Sequence, residues 1–169
     1  MKRKAPVLIA FLLLLVTAGF AQGNRGKAEL ATDAGSITID YGRPALKGRD
    51  MLSKLSVGDT WRMGSNQATI LTTSSELVFG SVRVPKGSYS LWLKRVAEND
   101  CQLVFNSETG QWGTRHDPSK DVAQVPMKKE TLSSSVEVFT IDLKGAQDGG
   151  SLITSWGTTQ LTADFRIAR

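Results

Sequence analysis

Apolar and polar residues alternate with a period of two along most of this chain. Such a pattern presents one continuous apolar face only if the segments are β-strands. Ile37, Ile39 and Tyr41 alternate with Ser36, Thr38 and Asp40, and Ala68, Ile70 and Thr72 with Thr69, Leu71 and Thr73. Val82 and Val84 flank Arg83, and Tyr89, Leu91 and Leu93 alternate with Ser90, Trp92 and Lys94. The stripes Cys101/Leu103/Phe105, Phe139/Ile141/Leu143 and Leu161/Ala163/Phe165/Ile167 continue the pattern. Turn chemistry separates them at Pro85-Lys86-Gly87, Glu98-Asn99-Asp100 and Asp148-Gly149-Gly150, where proline pre-sets φ and glycine supplies positive φ. Roughly eight or nine short strands with frequent turns predict an all-β fold, a single antiparallel β-sandwich or jelly-roll-like domain over residues 35–169. Residues 22–34 are small and polar and read as a flexible lead-in. Residues 46–55 are the one plausible short helix.

The N-terminus reads as an export signal. Met1-Lys2-Arg3-Lys4 is followed by an apolar run over 7–16 and then Thr17-Ala18-Gly19-Phe20-Ala21, which ends on the small residues a signal peptidase needs. Cleavage is expected after Ala21, making 1–21 the signal peptide of a periplasmic or secreted protein. The run is shorter than the roughly 20 residues that span a bilayer, so no membrane span is expected after cleavage. With Lys2, Arg3 and Lys4 removed, 21 basic side chains become 18 against 16 acidic, and the formal charge falls from +5 to +2. That leaves no dense basic stripe to track phosphates, and no nucleic-acid partner is expected. One cysteine excludes a disulfide framework and multi-cysteine metal sites, and no cofactor is expected.

Candidate chemistry falls in a few loops. Arg43, Lys47 and Arg49, in a run with Gly42, Pro44 and Gly48, would grip a carboxylate, sulfate or phosphate through charged forks, or else brace the domain's own loops. In the segment 61–69, Trp61 offers a stacking plate, Arg62 a planar cation, and Asn66 with Gln67 a pair of amides. This set suits a sugar, and the same residues would equally plug the end of a sandwich. Cys101 shares the Leu103/Phe105 face and is expected to be a buried hydrophobe rather than a nucleophile. His116 beside Asp117 is either an oriented base or a solvated loop histidine. Trp92 lies opposite the apolar stripe of its strand, either exposed or under a second layer, while Trp112 and Trp156 are expected to be core plugs.

Taken in order, several segments resemble the domain-of-unknown-function family numbered 2911, found in exported proteins of Gram-negative bacteria. They are Asp40-Tyr41-Gly42-Arg43-Pro44 with Lys47-Gly48-Arg49, Trp61-Arg62 with Gly64, Asn66, Ala68 and Thr69, Pro85-Lys86-Gly87-Ser88-Tyr89-Ser90-Leu91, Phe105-Asn106, and Gln111-Trp112-Gly113. The resemblance covers about residues 30–165 and implies a secreted single-domain β protein without an assigned reaction. Where members often carry a Tyr-Asp type sequence after the Trp-Gly, this chain has Thr114-Arg115-His116-Asp117, so the resemblance lends no role to His116. It groups Arg43, Lys47, Arg49, Trp61, Arg62, Asn66 and Trp112 as a ligand site expected at one end of the sandwich. The expected function is non-catalytic binding of a polar or anionic small molecule, glycan or envelope polymer. The alternatives are a periplasmic hydrolase using Asp40, His116 or Asp117, and a partner-binding envelope component with an exposed apolar patch around Trp92.

Overall fold

The computed structural model describes residues 24–49, 52 and 54–168; the leader and its cleavage site lie outside the described residues. These fold into ten strands: β1 (Arg25–Thr32), β2 (Gly35–Gly42), β3 (Thr60–Trp61), β4 (Thr69–Thr73), β5 (Leu77–Phe79), β6 (Val82–Val84), β7 (Gly87–Arg95), β8 (Cys101–Asn106), β9 (Asp121–Ala146) and β10 (Gly149–Ile167). All pairings are antiparallel, in the order β1-β2-β4-β7-β8-β9-β10-β5-β6, with β3 added beside β7.

One hydrogen-bonded path becomes two layers because β9 belongs to both. Its first residues pair with β8 from Asp121 to Met127, and from Lys128 onward it pairs with β10. Buried Ala123, Val125 and Met127 serve one layer, buried Phe139 and Ile141 the other, and the strand between them is largely exposed. Opposite that stretch the register with β10 shifts on either side of Gly157. Bulges of this kind bend and twist a strand. The inner faces meet in one core: Ile37, Ile39, Leu71, Leu91, Leu103 and Phe105 from one layer, Leu77, Phe79, Leu152, Leu161 and Phe165 from the other. Rings interlock across it, as Phe79 does with Phe105 and Phe165 at 5.5 and 5.6 Å.

The structure corrects several expectations. The lead-in is ordered: residues 25–32 form β1, in register with β2 from Arg25↔Gly42 to Thr32↔Gly35, with Ala28 buried. Its inward residues, Gly26, Ala28 and Leu30, are mostly small, which hid the alternation; a Cβ on Gly26 would strike the Arg43 and Tyr41 side chains. In β4 the inward face is Thr69/Leu71/Thr73. The buried hydroxyls are satisfied locally, Thr69 donating to the Met63 carbonyl and Thr73 to that of Ser75, both at 2.7 Å. Residues 46–49 and the described residues up to 55 form no helix. Instead Ala45 bridges Val138, and the Leu46 N–H donates to the Glu137 carbonyl at 2.7 Å, so β9 takes the backbone bonds a helix would have used. Cys101 is only half-buried, at the rim of the core. Trp92 is 1% exposed and Trp156 is 4% exposed, whereas Trp112, expected in the core, is 49% exposed.

Candidate functional site

Three loops that carry sequence motifs meet on the layer containing β7: residues 42–49 after β2, 62–68 after β3, and 107–120 after β8. The joins need absent side chains. A Cβ on Gly42 would strike the Ser65 backbone, and one on Gly113 would strike the Asn66 carbonyl and the Arg62 side chain. The Gly113 N–H donates to the Asn66 carbonyl at 2.9 Å and the Ala68 N–H to the Gln111 carbonyl at 3.1 Å. Gln67 and Trp112, between those bonds, form a β-bridge. Met63 and Asn66 adopt positive φ of 49° and 64°, a conformation costing about 1–2 kcal/mol for a residue with a Cβ. Burial of Met63 and the bonds around Asn66 hold the loop there.

The seven predicted site residues divide. Trp61 faces inward: its ring stacks on Trp156 at 5.5 Å and 10° and meets the edge of Phe139 at 5.0 Å. That face of the ring is already occupied. Arg62 lies against Gly113, with Nε donating to the Gly64 carbonyl at 3.3 Å. Asn66 and Trp112 are brought together by the bridged loops, along with the exposed Gln67. Neither amide side chain has a hydrogen-bond partner among the described residues.

The basic run leaves this junction along other parts of the chain, beginning at Gly42 against Ser65. Arg43 reaches back over Gly26, its Nε buried without a partner, while its backbone N–H donates to the Asn24 carbonyl. Lys47, at φ 47°, is held by its backbone N–H donating to the Glu137 carboxylate at 3.0 Å. Arg49 is exposed and bonds through its backbone to the Leu46 carbonyl. None of these three cations forms an ion pair with a described carboxylate. The motif loops meet through their backbones, Gly42 against Ser65 and Gly113 against Asn66.

Beneath the 107–120 loop is a cluster that the sequence placed only in part. Trp92 packs with Ala68 and Val104 as a small second core on the outer side of the layer. The His116 ring lies 4.7 Å from Trp92, and its Nε2 is 2.8 Å from Asp121 Oδ1. The two side chains are 15% and 11% exposed. Asn106 also donates to Asp121, at 2.8 Å, and to the Asp117 carbonyl. Gln111 and Trp92 both donate to Ser90 Oγ at 2.9 Å, and Gln111 Oε1 is buried without a partner. His116 is therefore neither solvated nor paired with its neighbour Asp117. That carboxylate instead caps the 3₁₀ turn Pro118–Lys120, and two bonds from Ser119 hold it below the usual carboxylate range. Asp121 lies at the first position of β9, and no motif signalled it.

A separate hollow of about 200 Å³ opens at the core edge between Leu93, Arg95, Cys101, Lys129 and Leu161, with Leu52 and Leu55 over it. Burial pushes the Cys101 thiol up, and the Lys129 and Arg95 cations oppose that less strongly.

Among the described residues no helix is long and apolar enough to cross a membrane. Comparison with known families matches residues 24–165 to the family described as "Protein of unknown function (DUF2911)". Comparisons with curated proteins and with solved structures give no match.

Proposed function

The chain belongs to that family, DUF2911, and on this premise we propose that it is an exported, non-catalytic β-sandwich that binds a polar ligand, a glycan or envelope polymer, on the surface around Trp112. The observation that carries the reading is an indole 49% exposed on a rigid mount. Backbone bonds on both sides of Trp112 fix it to the 66–68 strip. A solvent-facing indole offers an apolar face for a sugar's C–H groups, and holding it rigid lowers the entropy lost on binding. The amides of Asn66 and Gln67 supply donors and acceptors for hydroxyls, and Arg62 adds a planar cation. The stacking role expected of Trp61 passes to Trp112, because Trp156 covers Trp61. Arg43, Lys47 and Arg49 contribute, in this reading, to loop bracing and long-range attraction rather than to direct contact.

Calorimetric titration of the mature protein against a panel of envelope glycans and anionic polymers tests the proposal. Trp112→Ala is expected to weaken the binding at least tenfold, about 1.4 kcal/mol, with unchanged folding. Absence of binding to every class, or full binding by Trp112→Ala, overturns it. The export part predicts a secreted product beginning at Gln22, checked by intact mass.

One observation favours a second reading, a hydrolase. His116 and Asp121 are in hydrogen-bond contact, the arrangement that orients a general base. It predicts a hydrolytic activity abolished in His116→Gln. The partner-binding alternative loses its marker, since Trp92 is buried.

A further inference from the structure

We propose that the hollow beneath Leu52 and Leu55 is a second binding site, taking a small amphiphile with a carboxylate head and a short acyl chain. The first ground is the wall. Leu93 and Leu161 belong to the main core and are almost fully buried, Cys101, Leu52 and Leu55 supply the rest of the apolar wall, and Asn99 and Thr159 are its uncharged polar members. At about 200 Å³ the space is below the roughly 300–1,000 Å³ of drug-sized sites, so a short chain fits. Cys101 contributes as a neutral, soft wall, since burial raises its pKa.

The second ground is the placement of Lys129. The β9 stripe Ala123, Val125, Met127 points into the core, and Lys129 is its next member, opposite Leu161 on β10. Its sequence neighbours, on the other face, satisfy each other: Lys128 pairs with Glu130 at 2.6 Å, and Glu130 also accepts from Gln160. Lys129 has no carboxylate partner among the described residues and lines the hollow. Lys129 is exposed where the apolar stripe runs out to solvent, so its stem borders the hollow while its charged head stays in water, in place to meet an anionic head. The third ground is Arg95, whose guanidinium donates to the carbonyls of Leu55 at 2.5 Å, Ala97 at 3.3 Å and Glu98 at 2.7 Å. Arg95 thus fixes the cover over the hollow and adds a second positive charge. The acids nearby are Glu98, on the rim, and Asp100. The two cations outweigh the one acid lining the mouth.

The chain holds a single cysteine, so Cys101 reports occupancy in the full protein. The experiment measures the rate of maleimide labelling of Cys101 against butanoate, hexanoate, octanoate and octanol, all below their micelle thresholds. The expected result is saturable protection by octanoate that tightens by about fourfold per buried methylene along the series, until the hollow is filled. Octanol should protect several-fold less well. Lys129→Gln should bring octanoate to the level of octanol, while Lys128→Gln keeps the difference. No protection by any carboxylate, equal protection by octanol and octanoate in the wild type, or an unchanged preference in Lys129→Gln overturns the proposal. Because Trp112, Asn66, Gln67 and Arg62 do not line this hollow, its failure and that of the glycan titration are distinguishable.

Discussion

Trp61 and Trp112 were grouped by sequence, and the structure assigns them opposite energetics. Replacing Trp61 by alanine removes a half-buried indole, its stack on Trp156 and its edge contact with Phe139. Full truncation of a core aromatic costs about 3–5 kcal/mol, and partial exposure places Trp61 at the low end, near 3 kcal/mol. Two lost ring pairs, at about 0.5–1.5 kcal/mol each, are the specific part of that figure. Trp112→Ala removes an exposed ring that takes no part in the bonds holding its loop, which come from the backbone and from Gln111, Asn106 and His116, so its cost should stay within about 0.5 kcal/mol. Urea unfolding followed by far-UV circular dichroism measures both without relying on the altered tryptophan signal. A cycle with Phe139→Leu should reveal coupling to Trp61 and none to Trp112. If Trp61→Ala proves as benign as Trp112→Ala, the indole is not part of the core and the assignment of the two tryptophans is wrong.

Three further outcomes follow from the same geometry. Gly42→Ala should destabilise by about 1–3 kcal/mol, because the new methyl meets the Ser65 backbone, which cannot rotate away; a thermal melt and faster amide exchange in residues 62–68 check this. His116→Ala should cost about 1–3 kcal/mol, read by urea unfolding, since it uncovers Trp92 and leaves Asp121 with Asn106 as its remaining partner. The Asp117 carboxyl, held low by Ser119, should titrate by NMR below the usual carboxylate range and move up in Ser119→Ala. A depressed folded pKa means its contribution is present above the unfolded value and is lost as pH falls through the folded one.

The all-β fold was legible because alternation with period two is local: each strand's inward residues are written in its own sequence. Legibility failed where side chains were too small to mark a face, as at Gly26 and Ala28 of β1, or where a segment's bonding partner was distant, as for Leu46 and Glu137. The reason for glycine at Gly42 and Gly113 appears only in the fold, where a Cβ at either would strike the backbone of the 62–68 loop. Nor was the chemistry of each motif legible. A tryptophan in a loop has the same sequence signature whether another ring covers it or water does, and only the seat of Trp156 beside Trp61 separates the two cases.

Sequence alone therefore determined strand content, most turns and family membership, all of which depend on residues near one another in the chain. Tertiary structure decided which aromatic faces solvent, that His116 pairs with Asp121 rather than Asp117, and that Lys129 ends an inward stripe at an apolar hollow. Each depends on β9 crossing between layers and on which strand lies beside it. That placement sets exposure and partners, and through them the chemistry open to each side chain.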